Sequence, residues 1–375
     1  MRLFFRAGIV ALLTAGLAAC NKDSASPVDF DDPAAVSANL SSVDSTFSSD
    51  VFHSFTVTAF MLDVATSPAM RPAATLIETL HPKLQRSGAQ AFLPGLNQGR
   101  KLQMLMPQLS LSAAQGAIIP DSMYGRVFEW DTTGAGQYSW QDSTVPNLNG
   151  VRFILYAVGL DGQVLEPVTP IGMLDIVDAS TQNALQLHVL VRNTTGTTTY
   201  VDYTVELTGN SSTVQANASG SIRNGLAAPN NKELSFDEAL TVTSTSIRVT
   251  ATFALNNPAT TLILNESLSF TESQLIINTE FRLIQNTHTI RTVGRVTIDN
   301  ATQAVTVAVT VYYDGGPVAS LTGDPTSPST QWVDAGGQPL TDQDLAALDD
   351  LFSAVEQFDA AVSSLFSPIG TFAGL

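Results

Sequence analysis

Between residues 120 and 333 apolar and polar positions alternate one by one, in many short stretches. Leu185, Leu187, Val189 and Val191 alternate with Gln186, His188 and Arg192. Val201, Tyr203, Val205 and Leu207 alternate with Asp202, Thr204 and Glu206, and Val305, Val307, Val309 and Val311 with Ala304, Thr306, Ala308 and Thr310. A period of two is that of strands with one face buried and one face wet. Asn, Gly, Asp and Pro break the pattern at short intervals, and Asp161-Gly162 and Asn286-Thr287 stand where two-residue hairpin loops fit. Strand follows strand with no helical period between them, which predicts an antiparallel meander.

The two ends of the chain follow a different period. Val36, Leu40, Val43, Phe47, Val51 and Phe55 recur at spacings of three and four, the apolar stripe of a helix that Asp32 can cap and Pro33 can open. Near the C-terminus Thr341 and Asp344 form a T-x-x-D capping pattern, and Asp342 adds negative charge to the first turn. Leu345, Leu348, Phe352, Val355, Val362 and Leu365 then form a stripe that ends near Pro368. The predicted fold is mostly β with terminal helices. A large curved antiparallel meander sheet wraps an N-terminal and a C-terminal amphipathic helix with its apolar face. An outer-membrane barrel would need that second face to be apolar, and here it carries Thr, Asn, Gln, Arg and Asp.

Residues 62–118 fit neither period. The segment is rich in Pro, Gln and Leu, with a short helix expected near 72–80, and with the flanking Met61 and Met123 it gathers Met70, Met104 and Met106. Methionine fills irregular gaps and adapts to varied partners. The segment therefore reads as a cover over the core, or as a pliable lid over an apolar cavity in which Met104 and Met106 touch a ligand.

Composition changes the picture at the first residues. The chain has one cysteine, Cys20. Ahead of it lie a basic start, Arg2 and Arg6, and an apolar run from Ala7 to Gly16. That run is too short to span a bilayer and has the order of a secretory signal. Leu17-Ala18-Ala19-Cys20 resembles the lipobox of bacterial lipoproteins. The resemblance implies a signal peptide over 1–19, cleavage before Cys20, and lipidation of Cys20 by acyl chains such as palmitate. Behind it, the composition of 20–32 reads as a lipidated Cys and tether, and the periodicity of 33–368 as a single β-rich domain with N- and C-terminal helices. A flexible tether of that length reaches only ~20 Å, so the domain would ride close to the membrane. Three acyl chains hold a protein stably, and no later stretch approaches ~18 uninterrupted apolar residues. In such lipoproteins an Asp after the Cys retains the protein at the inner membrane; Asn21 stands here, which points to the outer membrane.

Charge narrows the partners. The chain carries 17 Lys and Arg against 34 Asp and Glu, a net charge of −17, and loss of Arg2 and Arg6 with the signal makes it −19. So acidic a body is repelled by phosphate backbones, and nucleic acid is not an expected partner.

Catalytic patterns are few. The sequence has no G-x-S-x-G elbow, no H-E-x-x-H, no phosphate loop and no D-x-D-x-D-G run. His188 falls on the wet face of its strand, His288 flanks a turn and His81 precedes a proline. His53 follows Asp50 on the first helix, but two ligands make no metal site. No catalytic residue, metal site or cofactor is assigned.

Two carboxylates break the strand pattern. Glu266 shares a face with Leu262, Leu264, Leu268 and Phe270, and Glu238 with Leu234, Phe236 and Leu240. A bulge or strand end that turns the residue outward is the plainer expectation. The sharper one is a polar handle inside an apolar pocket, which is how ligand sites are built. A basic cluster stands against the acidic whole. If 275–285 pairs with 288–298 through Asn286-Thr287, Arg282 sits opposite Arg291, and Glu280 lies diagonal to Arg291 and Arg295. Glu280 then neutralises the arginines, or Arg282, Arg291 and Arg295 receive an anion or an acidic partner.

These readings predict a lipid-anchored envelope protein with a non-enzymatic domain that binds an apolar small molecule, a lipid or a protein partner. The alternative is a structural or adhesive module acting through its Thr-rich face. A hydrolase with its site scattered over loops stands third.

Overall fold

The computed structural model describes residues 118–132, 138–159 and 163–349 except 211, 286, 326, 328, 343 and 347, together with 50, 51 and 54. After a 3-10 turn at Asp121–Met123 the strands run in order. They are β1 (Arg126–Trp130), β2 (Tyr138–Thr144), β3 (Gly150–Tyr156), β4 (Pro170–Asp178), β5 (Ala184–Asn193), β6 (Thr199–Gly209), β7 (Thr213–Arg223) and β8 (Glu233–Thr243). There follow β9 (Ser246–Asn256), β10 (Ala259–Phe270), β11 (Gln274–Gln285), β12 (His288–Asp299), β13 (Val305–Tyr313), β14 (Gly316–Gly323) and β15 (Val333–Asp334). All fifteen belong to one sheet, which ends at β15 on one side and β2 on the other and does not close.

From β3 to β15 each strand pairs antiparallel with the next, as the alternating pattern predicts. The expectation of a purely antiparallel sheet fails at the start. Here β1 lies between β2 and β3 and pairs parallel with β3, so the sheet is mixed. The cause is the link 145–149, which carries the chain from edge strand β2 across the end of β1. Gly125 makes the crossing: its amide donates to the Gly150 carbonyl and its carbonyl accepts from the Val145 amide, each at 2.7 Å. Its φ is +76°, and a Cβ there would stand 2.8 Å from the Val145 carbonyl oxygen, so only glycine fits without strain. Aromatic packing closes the same corner. Phe128 stacks on Phe153, Tyr138 meets Phe153 edge-on, and the Tyr138 hydroxyl donates to the Ile154 carbonyl.

Alternation sends one face of every long strand into the core. Val201, Tyr203, Val205 and Leu207 of β6 are buried, as are Val307, Val309 and Val311 of β13, while the intervening residues are wetter. Each such side chain contributes ~1.5–3 kcal/mol relative to exposure. Strand β7 has small residues on that face, Ala216, Ala218 and Gly220, and larger neighbours compensate. Tyr203 and Phe236 are the cross-strand partners of Gly220, and their rings meet at 5.9 Å between centroids.

The capping pattern at the last predicted helix is present. Thr341 Oγ1 accepts from the Asp344 amide at 3.2 Å while Asp344 accepts from the Thr341 amide at 3.1 Å and hydroxyl at 2.7 Å. Leu348, one turn on, belongs to the core, whereas Leu345 is exposed. Residues 50, 51 and 54 are helical, and Val51 packs at Gly172 of β4, its Cγ1 3.2 Å from where a Cβ would be. The rest of both predicted helices, Cys20 with its tether, and 62–117 with Met104 and Met106 lie outside the described residues.

Candidate functional site

The apolar face carries a polar band across β8 to β12. One row runs Ala218, Glu238, Ala251, Leu264, Phe281, Thr292 from strand to strand. The adjacent row runs Ala216, Leu240, Val249, Glu266, Thr279, Gly294. Glu238 and Glu266 therefore flank β9 on opposite sides, offset by one pair. The expected bulge is absent, because the register is unbroken through both residues. Both carboxylates are buried, Glu238 at 3% and Glu266 at 7% exposure. Thr292 is buried at 2%, and the hydroxyls of Thr279 and Thr292 have no hydrogen-bond partner among the described residues. A buried hydroxyl left unmade costs ~1–3 kcal/mol, so each is an atom that a bound group can satisfy. Ala216, Ala218, Ala251 and Gly294 keep the surface low around the band.

The opposite face of β9 to β13 holds a depression of about 610 Å³. Its first row is Arg248, Ser267, Asn278, Arg295 and Ala308, each the register partner of the next. Its second row is Asn265, Glu280, Val293 and Thr310, with Tyr312 beyond. Glu266, Thr279 and Gly294 also line it, from the intervening row whose side chains take the other face. Arg282 and Arg291 are directly paired, as the hairpin register predicts, and the ladder closes at Gln285 and His288. Glu280 accepts from Arg291 Nε at 2.7 Å and from Arg282 at 3.2 Å. The Arg291 guanidinium, and then Arg282, hold its carboxyl below the usual carboxylate range, and Arg291 is raised in return. Arg291 also lies over the Tyr312 ring at 5.5 Å. The expected diagonal from Glu280 to Arg295 is not made into an ion pair: Arg295 is exposed and has no ion-pair partner among the described residues, and the same holds for Arg248. Arg248 was not legible as part of this cluster, since it enters from β9, two hairpins away in sequence.

Other charged groups are structural. Asp175, 3% exposed at its side chain, accepts a bidentate pair of bonds from Arg152 at 2.6 and 2.8 Å and a further bond from Arg192. His188 meets Asp202 at 2.7 Å on the wet face, and His288 meets Asp314 at 2.9 Å and the Tyr313 hydroxyl at 3.0 Å. The Asp314 carboxyl is held low by His288 and the Thr289 amide. Among the described residues no group of His, Cys, Asp and Glu could hold a metal ion, and no helix is long and apolar enough to cross a membrane. His53 and His81 lie outside those residues. No family model matches the chain, and neither a curated protein nor a solved structure matches it.

Proposed function

We propose that the chain is a lipid-anchored protein of the bacterial cell envelope, held through Cys20 at the outer membrane. Its sheet wraps the two terminal helices and forms a non-enzymatic binding module for an apolar ligand or partner. The observation that carries the binding reading is the band of Glu238, Glu266, Thr279 and Thr292 within an otherwise apolar face. Ligand sites are built in this way, from an apolar surface with a few placed polar groups. Ala218 and Ala251 beside the band are small and buried, and in this reading Met104 and Met106, from the segment expected to act as a lid, are further contacts of the ligand. The lipobox carries the anchoring. With one lipid attachment and so acidic a body, nucleic acid is not a partner in this reading.

Two measurements test these parts separately. Native mass spectrometry of the full chain, purified from membranes in mild detergent, should find a non-covalent apolar species besides detergent. Its repeated absence would favour the structural or adhesive alternative on the Thr-rich face. Cys20→Ser should leave an unprocessed precursor that no longer fractionates as the mature lipidated form. Normal processing of that variant would overturn the anchor and leave the binding reading standing.

A further inference from the structure

The depression on the wet face opens on the side of the sheet opposite the polar band. Arg248 and Arg295 stand three strand steps apart in one register row, roughly 14 Å between backbones. Ser267 and Asn278 form the floor between them, the Asn278 amide donating to the Ser267 hydroxyl at 3.4 Å. The register neighbours of Arg248 are Thr241 and Ser267, and those of Arg295 are Asn278 and Ala308, all neutral. Each guanidinium is thus exposed and without a counter-ion among the described residues, in a chain with a net charge of −17. One row over, Glu280 is shared by Arg282 and Arg291, so the cluster keeps an excess of positive charge.

We infer that this depression binds a short acidic saccharide, its carboxylate or phosphate groups held by Arg248 and Arg295. An arginine fork pairs with either oxyanion in the same bidentate geometry. The floor between the forks offers hydroxyl and amide groups, which exchange hydrogen bonds with sugar hydroxyls in both directions. The half-buried Tyr312 ring, with Arg291 over it, bounds one end. An acidic peptide fits less well. Peptides bind sheets by adding a strand at an edge, and this site lies on a face, five strands across its width. The acidic body repels a long polyanion, so the ligand carries few charges.

Isothermal titration of the full chain in detergent with trigalacturonate, glucose 1-phosphate, maltotriose, inorganic phosphate and tetraglutamate tests the assignment. The carboxylated or the phosphorylated saccharide should bind, with affinity falling as salt rises, and which of them binds identifies the acid group. Arg248→Ala and Arg295→Ala should each weaken binding about tenfold or more, while Arg223→Ala, an exposed arginine elsewhere on the sheet, should not change it. All three variants should keep the wild-type melt, since the side chains are solvent-facing. The proposal is overturned if neither acidic saccharide binds, or if the Arg248→Ala/Arg295→Ala double variant still binds. It is also overturned if inorganic phosphate, maltotriose or tetraglutamate binds as tightly as the saccharide acids. Apolar occupancy of the other face is unaffected by any of these results.

Discussion

Arg282 faces Arg291 directly across the β11–β12 ladder, and the two like charges coexist because both reach one carboxylate, Glu280. Like charges opposed in a sheet cost a few tenths to ~1 kcal/mol, and a shared counter-ion offsets that. Removal of Glu280 leaves the repulsion uncompensated.

The pH dependence follows from the direction of the Glu280 shift. Its carboxyl is lowered from 4.5, first by Arg291 and then by Arg282. A depressed carboxyl stabilises the fold fully above its unfolded value and loses that contribution as pH falls through the folded value. The stability gap between wild type and Glu280→Gln should therefore be constant from neutral pH down to about 5.5, then close below that. Thermal melts of both proteins across the acid range check it. A gap that widens on acidification would contradict the assignment.

Asp175 is the charged residue whose loss should cost most. Its side chain is almost fully buried and joins Arg152 of β3 to Arg192 of β5 across β4. Asp175→Asn keeps the shape but leaves two partly buried guanidinium groups facing each other. Breaking one partner of a buried pair costs ~3–5 kcal/mol, and the partial exposure of both arginines places this case near ~3. Urea denaturation measures it, and a loss below ~1 kcal/mol would mean that solvent already screens the triad.

Gly220 sits where Tyr203 and Phe236 meet. A Cβ at that position would collide with the Asp202 carbonyl oxygen and the backbone of Tyr203. Gly220→Ala should destabilise by ~1–3 kcal/mol through overpacking, although alanine is the better strand residue on exposed sites. Chemical denaturation reads this directly. A neutral or stabilising result would show that β6 and β7 can separate without loss of packing.

Glu266→Gln probes the proposed handle. The substitution preserves volume and removes a charge from the apolar face, so the load of co-purified apolar species should change several-fold while the fold persists. A purely structural role predicts the reverse, a loss of ~3–5 kcal/mol with the load unchanged. Melts and mass spectra of the variant beside wild type separate the two outcomes.

What the sequence determined by itself is what depends on neighbours along the chain. A strand announces itself through a period of two, because adjacent side chains must take opposite faces. The two-residue step from Gln285 to His288 sets Arg282 against Arg291, since a hairpin's register follows from its loop. The reciprocal bonds of Thr341 and Asp344 are likewise a matter of four consecutive residues. Tertiary structure decided the rest. The place of β1 between β2 and β3 turns on whether a five-residue link can cross a strand end, which Gly125 permits and no periodicity records. The burial of Glu238 and Glu266 depends on pairing that stays unbroken on both sides, where a bulge would have turned them out. Arg248 joins Arg295 only because the registers of β9, β10, β11 and β12 add up to place them in one row. Each hairpin contributes its own offset, and only their sum across the folded sheet brings distant residues together.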